Sequence, residues 1–369
     1  MKKNPLWIWE APNYPDFVYD REKIFDQLQH ISKKQGELTG SIKFLSSEEK
    51  RTLFTENLLD EIVYNASIEG EILQRSSVRA SIRKQFEHVK DAPDDRHTDN
   101  IVSIQKDIGT NPAPLTIERL NHWHHEIIVN GEHDREQVKP GAWRDYDDMY
   151  VISGEGARRR VHYLAPPVNT LTGHMETFLN YCNNTQENPL IKSAVAHIWF
   201  VQIHPYGDGN GRLTRNITNY LLAKEMGLDT HYFSISHAID REIKNYGKIL
   251  EETNRLASNP RMDLTQWITW HNRMVQSAIE FSLAVIDKSI LKTKFYDRIR
   301  DVKINPNQAK AIDMLLNGKE KTINNRIYRM ITGTSQVTAS RQLKDLVKKG
   351  VLRPSKGGKG RSTLYELNL

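Results

Sequence analysis

Apolar residues recur along most of this chain at three- and four-residue intervals, which predicts a mainly α-helical protein. Ile24, Leu28 and Ile31 form the first such set; Leu58, Leu59, Ile62 and Val63 the second; Val78 and Ile82 a third. Ile191, Ala194, Val195, Ile198 and Trp199 fall at i, i+3, i+4, i+7 and i+8, one buried helix face. Polar residues 91–96 read as a connection. Asn111-Pro112-Ala113-Pro114 is a loop, and Thr116 is a candidate N-cap for the helix after it. The pattern changes at residues 149–153 and 161–165, two short β-prone runs around a stretch rich in Gly and charge, Gly154 to Arg160. They predict a β-hairpin, stopped by Pro166-Pro167.

The first residues follow neither period. Trp7, Trp9, Pro12, Tyr14, Pro15, Phe17 and Tyr19 make an aromatic, proline-rich opening, read as a cap packed on the neighbouring helices. Near the other end, Ala309, Ile312, Leu315 and Leu316 predict one helix, and Ile323, Ile327 and Ile331 a second. Val337, Leu343, Leu346 and Val347 predict a third. Thr332-Gly333-Thr334-Ser335 is the turn before the third, and Gly350 ends it. Two β-prone runs, 351–353 and 363–367, flank a basic glycine-rich stretch.

Composition sharpens the division. At 369 residues the chain is too long for one ordinary domain. Apolar residues make up 38% and charged residues 27%, which excludes a mostly disordered protein. The single cysteine, Cys182, excludes an intramolecular disulfide framework and a cysteine-based zinc finger. No signal-peptide-like start and no apolar run of membrane-spanning length is visible, so the expectation is a cytoplasmic protein with no membrane partner. The net charge of +6 is unevenly spread. Residues 305–369 hold 13 Lys+Arg against 4 Asp+Glu, a net of +9, and the rest of the chain is at −3. A basic block on a near-neutral protein points to a polyanion-binding appendage.

The chemistry is concentrated in His204-Pro205-Tyr206-Gly207-Asp208-Gly209-Asn210-Gly211-Arg212-Leu213-Thr214-Arg215. Gly209 and Gly211 let backbone N–H groups approach an anion, and the helical pattern that follows puts them at a helix N-terminus, which favours phosphate. Arg212 and Arg215, three apart, project from the same side and suit a di- or triphosphate. Asp208 offers a hard oxygen for Mg²⁺, and His204 can accept a proton near neutral pH. A lone Gly-x-Gly is ordinarily a turn and a lone His ordinarily structural, but twelve residues holding all four elements are poorly explained by chance.

This stretch resembles the signature of the Fic family, His-Pro-Phe-x-Asp/Glu-Gly-Asn-Gly-Arg-x-x-Arg, with Tyr206 in place of the usual Phe. His197 to Ile203, Leu120-Asn121-His122-Trp123-His124, Gly141-Ala142-Trp143-Arg144 and the hairpin, placed where the family has its flap, extend the likeness over roughly 100–285. The resemblance implies a helical core and an enzyme transferring AMP from ATP, with Mg²⁺, to a hydroxyl of a protein target and of itself. By position His204 is the general base and Asp208 the Mg²⁺ ligand. Gly209, Asn210 and Gly211 form the anion hole, and Arg212 and Arg215 hold the phosphates. The flap would align the target as an added strand. Arg158, Arg159 and Arg160 at its tip read more simply as a solvated charge run. Asn245-Tyr246 resembles the nucleotide-pocket helix, so Tyr246 is a candidate adenine contact, core packing being the other reading.

Asn65-Ala66-Ser67-Ile68-Glu69-Gly70 resembles the family's inhibitory motif, Ser/Thr-x-x-x-Glu-Gly/Asn, with Glu69 and Gly70 matching. A Glu69 carboxylate paired with Arg215 would take the γ-phosphate position. The opening stretch resembles a domain of unknown function that often precedes Fic cores. The last segment resembles a winged helix-turn-helix. Gln336, Thr338, Ser340, Arg341 and Lys344 would face a DNA groove, and Lys356, Lys359 and Arg361 in the wing would lie near phosphates.

The expected organisation is an N-terminal helical domain (1–95) with the inhibitory motif, a catalytic core (96–287), and a linker helix with the winged helix (288–369). The fold class is mainly α, a helical Fic core with a small β-hairpin flap plus a C-terminal winged-helix domain. DNA is a candidate partner through the last domain, and a homodimer is left open. The rival readings are a DNA-binding regulator whose core senses nucleotide, and a Fic enzyme that transfers another phosphate-containing group or removes AMP.

Overall fold

A computed structural model describes residues 6–89, 95–129, 131, 138–154, 159–226, 230–318, 320–355 and 363–368. The chain forms two compact units, Met1–Leu283 and Ala284–Leu369. As the periodicity predicts, the described structure is mainly helical. No described helix is long and apolar enough to cross a membrane.

In the first unit, α1 (Arg21–Lys43), α2 (Ser47–Ser67) and α3 (Arg75–Phe86) precede α4 (Arg96–Thr110) and α5 (Ile117–Ile128). Ser46 and Glu49 close a capping box at the start of α2, and Thr116 caps α5 by accepting from Arg119 N at 3.1 Å. Leu58, Leu59 and Ile62 of α2 pack with Val78 and Ile82 of α3 and with Ile101 and Val102 of α4. The hairpin follows, β1 (Tyr150–Ser153) antiparallel to β2 (Arg160–Leu164). Its register pairs Val151 with Tyr163 but Ile152 with Val161, so His162 is the extra residue of a bulge. Of the hairpin tip, residues 155–158 lie outside the described residues, Arg158 among them.

The aromatic opening is a cap, and what it covers is the base of this hairpin and the next helices. Trp7 is buried with its ring edge-on to Tyr163, Trp9 Nε1 donates to the Leu164 carbonyl at 2.7 Å, and Phe17 meets Trp199.

Helix α6 (Leu171–Asn184) leads to α7 (Pro189–Ile203), in which every residue from Leu190 to Phe200 is buried. The single apolar face read from the sequence understates this helix: it is enclosed on all sides, and its polar Lys192 is paired with Glu225 at 2.8 Å. Helix α8 (Asn210–Met226) packs along α7, and the loop between them is residues 204–209. Then come α9 (Ile235–Arg241), α10 (Ile243–Asn254) and α11 (Thr265–Arg298), which runs through the division between the units.

The second unit adds α12 (Pro306–Leu316), α13 (Asn325–Thr332), α14 (Gln336–Lys348), and β3 (Leu352–Pro354) antiparallel to β4 (Tyr365–Leu367). Ile312, Leu315, Tyr328, Ala339, Leu343, Leu346 and Leu352 form its core. Ile323 does not belong to the second helix. Asn324 caps α13 by accepting from Ile327 N, and Ile323 bridges to Tyr365, its N–H reaching the Tyr365 carbonyl at 2.7 Å. The local cap outcompetes the i, i+4 apolar spacing. Ser335 caps α14 through Thr338 N at 3.2 Å, and Gly333, at φ 68°, closes α13 in the left-handed region.

Candidate active site

The loop between α7 and α8 is folded by its own residues together with Arg144 and the face of α5. His204 ends α7 in the left-handed region, at φ 49° and ψ 57°, which a non-glycine residue adopts only when its surroundings hold it there. Arg144 supplies the hold: its N–H meets the Pro205 carbonyl at 2.9 Å and its Nε the His204 carbonyl at 3.1 Å. The same guanidinium donates to the Tyr146 and Pro166 carbonyls, on either side of the hairpin, so one arginine ties the flap to the loop. Asn210 closes the turn by bonding both backbone groups of Tyr206, at 3.1 and 2.8 Å. The Tyr206 ring stacks on His124 and its hydroxyl donates to Asn121 at 2.8 Å, a bond the Phe of the family signature could not make.

His204 Nδ1 faces the Val201 carbonyl at 3.2 Å. A carbonyl only accepts, so Nδ1 carries the proton and Nε2 keeps its lone pair. The ring retains a solvent-accessible edge, yet burial, aided by the Arg144 charge, pushes its pKa down to about 4 against the opposing pull of Val201, Glu69 and Asp208. The imidazole is therefore neutral throughout the neutral range, the form a general base requires.

Helix α8 begins at Asn210, so the backbone N–H groups of the Gly209–Arg212 stretch lie at its open, positive end. Gly209, at φ 76°, sits against Ile128 and His124 and needs its missing Cβ for both reasons. Gly211 needs it for another: a Cβ there would stand 2.0 Å from Glu69 Oε1. The Glu69 carboxylate thus rests directly on the first turn of α8. It also accepts from Arg215 Nη2 at 2.9 Å. Asn65 holds the same arginine, its side chain taking Nε at 2.6 Å and its carbonyl Nη2 at 2.9 Å. Asn65 stands where the inhibitory motif has Ser or Thr, and its amide reaches two groups at once: Nδ2 also bonds Asn216 at 3.2 Å.

Helix α2 is secured by a buried carboxylate, Glu61, which accepts from Asn219, from the Ser234 hydroxyl, and from the Ser236 hydroxyl and N–H, all within 2.9 Å. Both arginines of the motif are buried, and among the described residues Arg212 Nε and Arg215 Nη1 have no hydrogen-bond partner. Buried donors without partners are costly, and they mark a place where an anion fits. Asp208 accepts from Gly209 N at 2.7 Å and lies 3.9 Å from Arg212 Nη2. Asp208 and His204 line an open cleft of ≈ 800 Å³ together with Asn210, Gly211 and Arg212, the Glu69–Gln74 stretch, and Met149–Ile152 of the flap.

The structure thus brings His204, Asp208, Gly209, Asn210, Gly211, Arg212, Arg215, Glu69 and Gly70 into one neighbourhood. Tyr246 is a core residue: its hydroxyl bonds His197 at 3.0 Å, its ring stacks on Trp270, and burial pushes its pKa up to about 12. Gln336, Thr338, Ser340, Arg341 and Lys344 all lie on α14; Gln336, Arg341 and Lys344 are exposed, Thr338 and Ser340 half-buried. Lys356, Lys359 and Arg361 lie outside the described residues.

Two residues beside the site were not among those singled out from the sequence. Glu71 accepts from Arg212 Nη1 at 2.7 Å, and His97 Nε2 lies 2.5 Å from the other oxygen of the same carboxylate. An acidic residue two places after Glu69 was the available hint for Glu71; nothing local pointed to His97.

Residues 114–222 match the family model described as the Fic/DOC family, and residues 7–87 match that of a domain of unknown function, DUF4172. The chain is 25% identical over 231 residues to a protein adenylyltransferase Fic of Aedes aegypti, and 24% identical over 232 residues to that of Culex quinquefasciatus. Each match covers 58% of this chain and 43% of the relative, so the chain spans less than half the length of these curated relatives. Among solved structures, a Fic family protein from Desulfovibrio desulfuricans G20 has a TM-score of 0.52 at 18% identity, covering 92% of this chain and 95% of its own. A Fic-domain signaling protein from Bacteroides thetaiotaomicron VPI-5482 has a TM-score of 0.51 at 18% identity, covering 71% and 96%. These two likenesses concern the fold. Joined to the family match over residues 114–222 and to a signature whose loop and helix are built as described, they support a Fic family protein.

Proposed function

We propose that this protein transfers AMP from ATP to a hydroxyl of a protein, itself included, and that Glu69 restrains the reaction. The observation that carries the reading is the juxtaposition at the start of α8: a neutral His204 with Nε2 open, the first turn of a helix lining the cleft, and two buried arginines with donors unsatisfied among the described residues. The curated relatives named protein adenylyltransferase support it.

In this reading the phosphate chain lies on the N–H groups of Gly209, Asn210 and Gly211, with Arg212 and Arg215 on its terminal groups. His204 Nε2 takes the proton of the target hydroxyl. The hydroxyl oxygen bonds to the α-phosphorus, the bond from that phosphorus to the β-phosphate oxygen breaks, and pyrophosphate leaves. Asp208 fits a Mg²⁺ held by one carboxylate and the substrate phosphates. Such an ion, when bound, neutralises phosphate charge as it moves to the leaving group. Tyr150 and Ile152, exposed on β1, would meet a target segment added beside the flap. Glu69, lying on Gly211 and bonded to Arg215, occupies the place of a terminal phosphate.

Incubation with α-labelled and γ-labelled ATP tests this. Label from the α position alone, absent in His204→Ala, is the expected result. Label from γ alone would show a kinase-like reaction and refute the proposal.

A second proposal concerns the other unit. Gln336, Arg341 and Lys344 are exposed on α14, and Arg326 and Arg329 on α13, the helix before the turn. We propose that this basic surface, read as a winged helix-turn-helix, binds nucleic acid. Fluorescence anisotropy with duplex DNA at rising salt tests it; an affinity indifferent to salt would count against it.

A further inference from the structure

Glu69 and Glu71 are two residues apart and meet different arginines. Glu71 Oε2 accepts from Arg212 Nη1 at 2.7 Å, and its Oε1 faces His97 Nε2 at 2.5 Å. On the far side of the ring, His97 Nδ1 meets the Val129 carbonyl at 3.3 Å. Both ring nitrogens face acceptors, so both carry protons, and an imidazolium backs the carboxylate. Burial disfavours that charge, but the hydrogen bond and charge of Glu71 outweigh it and hold His97 above the usual histidine range. Burial works against the Glu71 carboxylate too, and His97 and Arg212 together lower its pKa. The relay Val129–His97–Glu71–Arg212 joins the end of α5, the start of α4, the turn after α2 and the first turn of α8.

The two carboxylates are held differently. The Glu69 side chain is 39% exposed, that of Glu71 17%. Arg215 keeps its two hydrogen bonds to Asn65 if Glu69 swings away. Among the described residues, the Arg212 guanidinium has one close hydrogen bond, the one to Glu71, and its Nε is left without a partner. Glu71 therefore grips one end of the fork and leaves the rest of it to a ligand, whereas Glu69 lies on the helix start itself.

We propose that Glu71 is a positioning residue: braced by His97, it fixes the Arg212 guanidinium in the orientation that receives a phosphate of ATP. The proposal rests on the reading that Arg212 holds the phosphate chain. It assigns the two acids opposite effects. Removing Glu69 frees the site, and removing Glu71 disorders it.

The test is made in the Glu69→Gly protein, with ATP and Mg²⁺. The Kd for ATP is measured by calorimetry, and KM and kcat by labelling from α-labelled ATP. Glu71→Gln is expected to raise Kd and KM for ATP roughly ten- to a hundred-fold, with a smaller change in kcat. His97→Gln is expected to act in the same direction. The double variant should be no worse than Glu71→Gln alone, because His97 works only through Glu71. An unchanged Kd in Glu71→Gln overturns the proposal. Tighter binding with faster labelling also overturns it and makes Glu71 a second restraint. Additive effects of the two substitutions remove His97 from the relay. A Glu69→Gly parent that binds ATP but transfers no label refutes the transferase reading, while the Kd ratios still decide the role of Glu71.

Discussion

Arg215 and Arg341 show two ways of presenting a positive charge. Arg215, on α8, is 2% exposed and is held by the Asn65 side chain, the Asn65 carbonyl and Glu69. Arg341, on α14, stands in solvent. The first arrangement costs desolvation and is tolerable only because neighbours bond the guanidinium. In return the group has one position, which chemistry on a single phosphate requires. The second costs little and has many positions, enough to neutralise a polyanion. A site for reaction and a surface for adhesion should therefore fail in different ways: one by the loss of single atoms, the other by the addition of salt.

The largest expected effect tests the first half of that contrast. His204→Ala should lower AMP transfer by roughly 10²–10⁴-fold, the usual worth of a positioned general base, measured with α-labelled ATP in the Glu69→Gly background. A loss of less than about ten-fold would mean that another group takes the proton.

Acid separates the two units next. His197, His204 and His271 all lie in the first unit and burial lowers their pKa values, His204 and His271 to about 4 and His197 well below the usual range. No histidine occurs in 284–369. Below about pH 6.5 the unfolded chain binds protons that these folded rings refuse, so stability is present at neutral pH and lost as pH falls toward 4. His271 alone contributes about 3 kcal/mol to that loss, and His97, shifted the other way, offsets part of the total. Hydrogen exchange at pH 7 and pH 5 should show protection falling in the first unit and holding in the second. Equal change in both would break the comparison.

Glu69→Gly should raise self-labelling roughly ten- to a hundred-fold, the equivalent of one charge-assisted hydrogen bond of about 1.5–3 kcal/mol. Labelling equal to or below wild type would remove Glu69 from its restraining role. The smallest effect belongs to α14. Arg341→Ala should reduce the salt slope of DNA binding by about one unit, with AMP transfer unmoved. A variant that changed transfer instead would show that the two surfaces are not independent.

The fold class was legible because helix periodicity and caps are local. Thr116 caps the helix that the sequence assigns it, for a cap needs only the next three residues. Ile323 was misread because its partner, Tyr365, lies 42 positions away and no spacing rule reaches it. The exposure of α7 was misjudged for a similar reason: what encloses a helix comes from other helices.

The candidate site divides along the same line. By itself the sequence determined the motif from His204 to Arg215, since its glycines and the Asn210–Tyr206 turn bonds lie within a dozen residues, while the hold of Arg144 on the His204 carbonyl comes from outside it. It also determined that a carboxylate would follow Asn65 at the end of α2. The pairing of Glu69 with Arg215 was already implied by the resemblance, and only the tertiary structure decided that Glu71 meets Arg212, that Asn65 bonds Arg215 through both side chain and carbonyl, and that His97 lies against Glu71. Those pairings join residues 26 to 150 positions apart. Side-chain types state what a group can bond to, but only packing brings a given donor within 3 Å of a given acceptor.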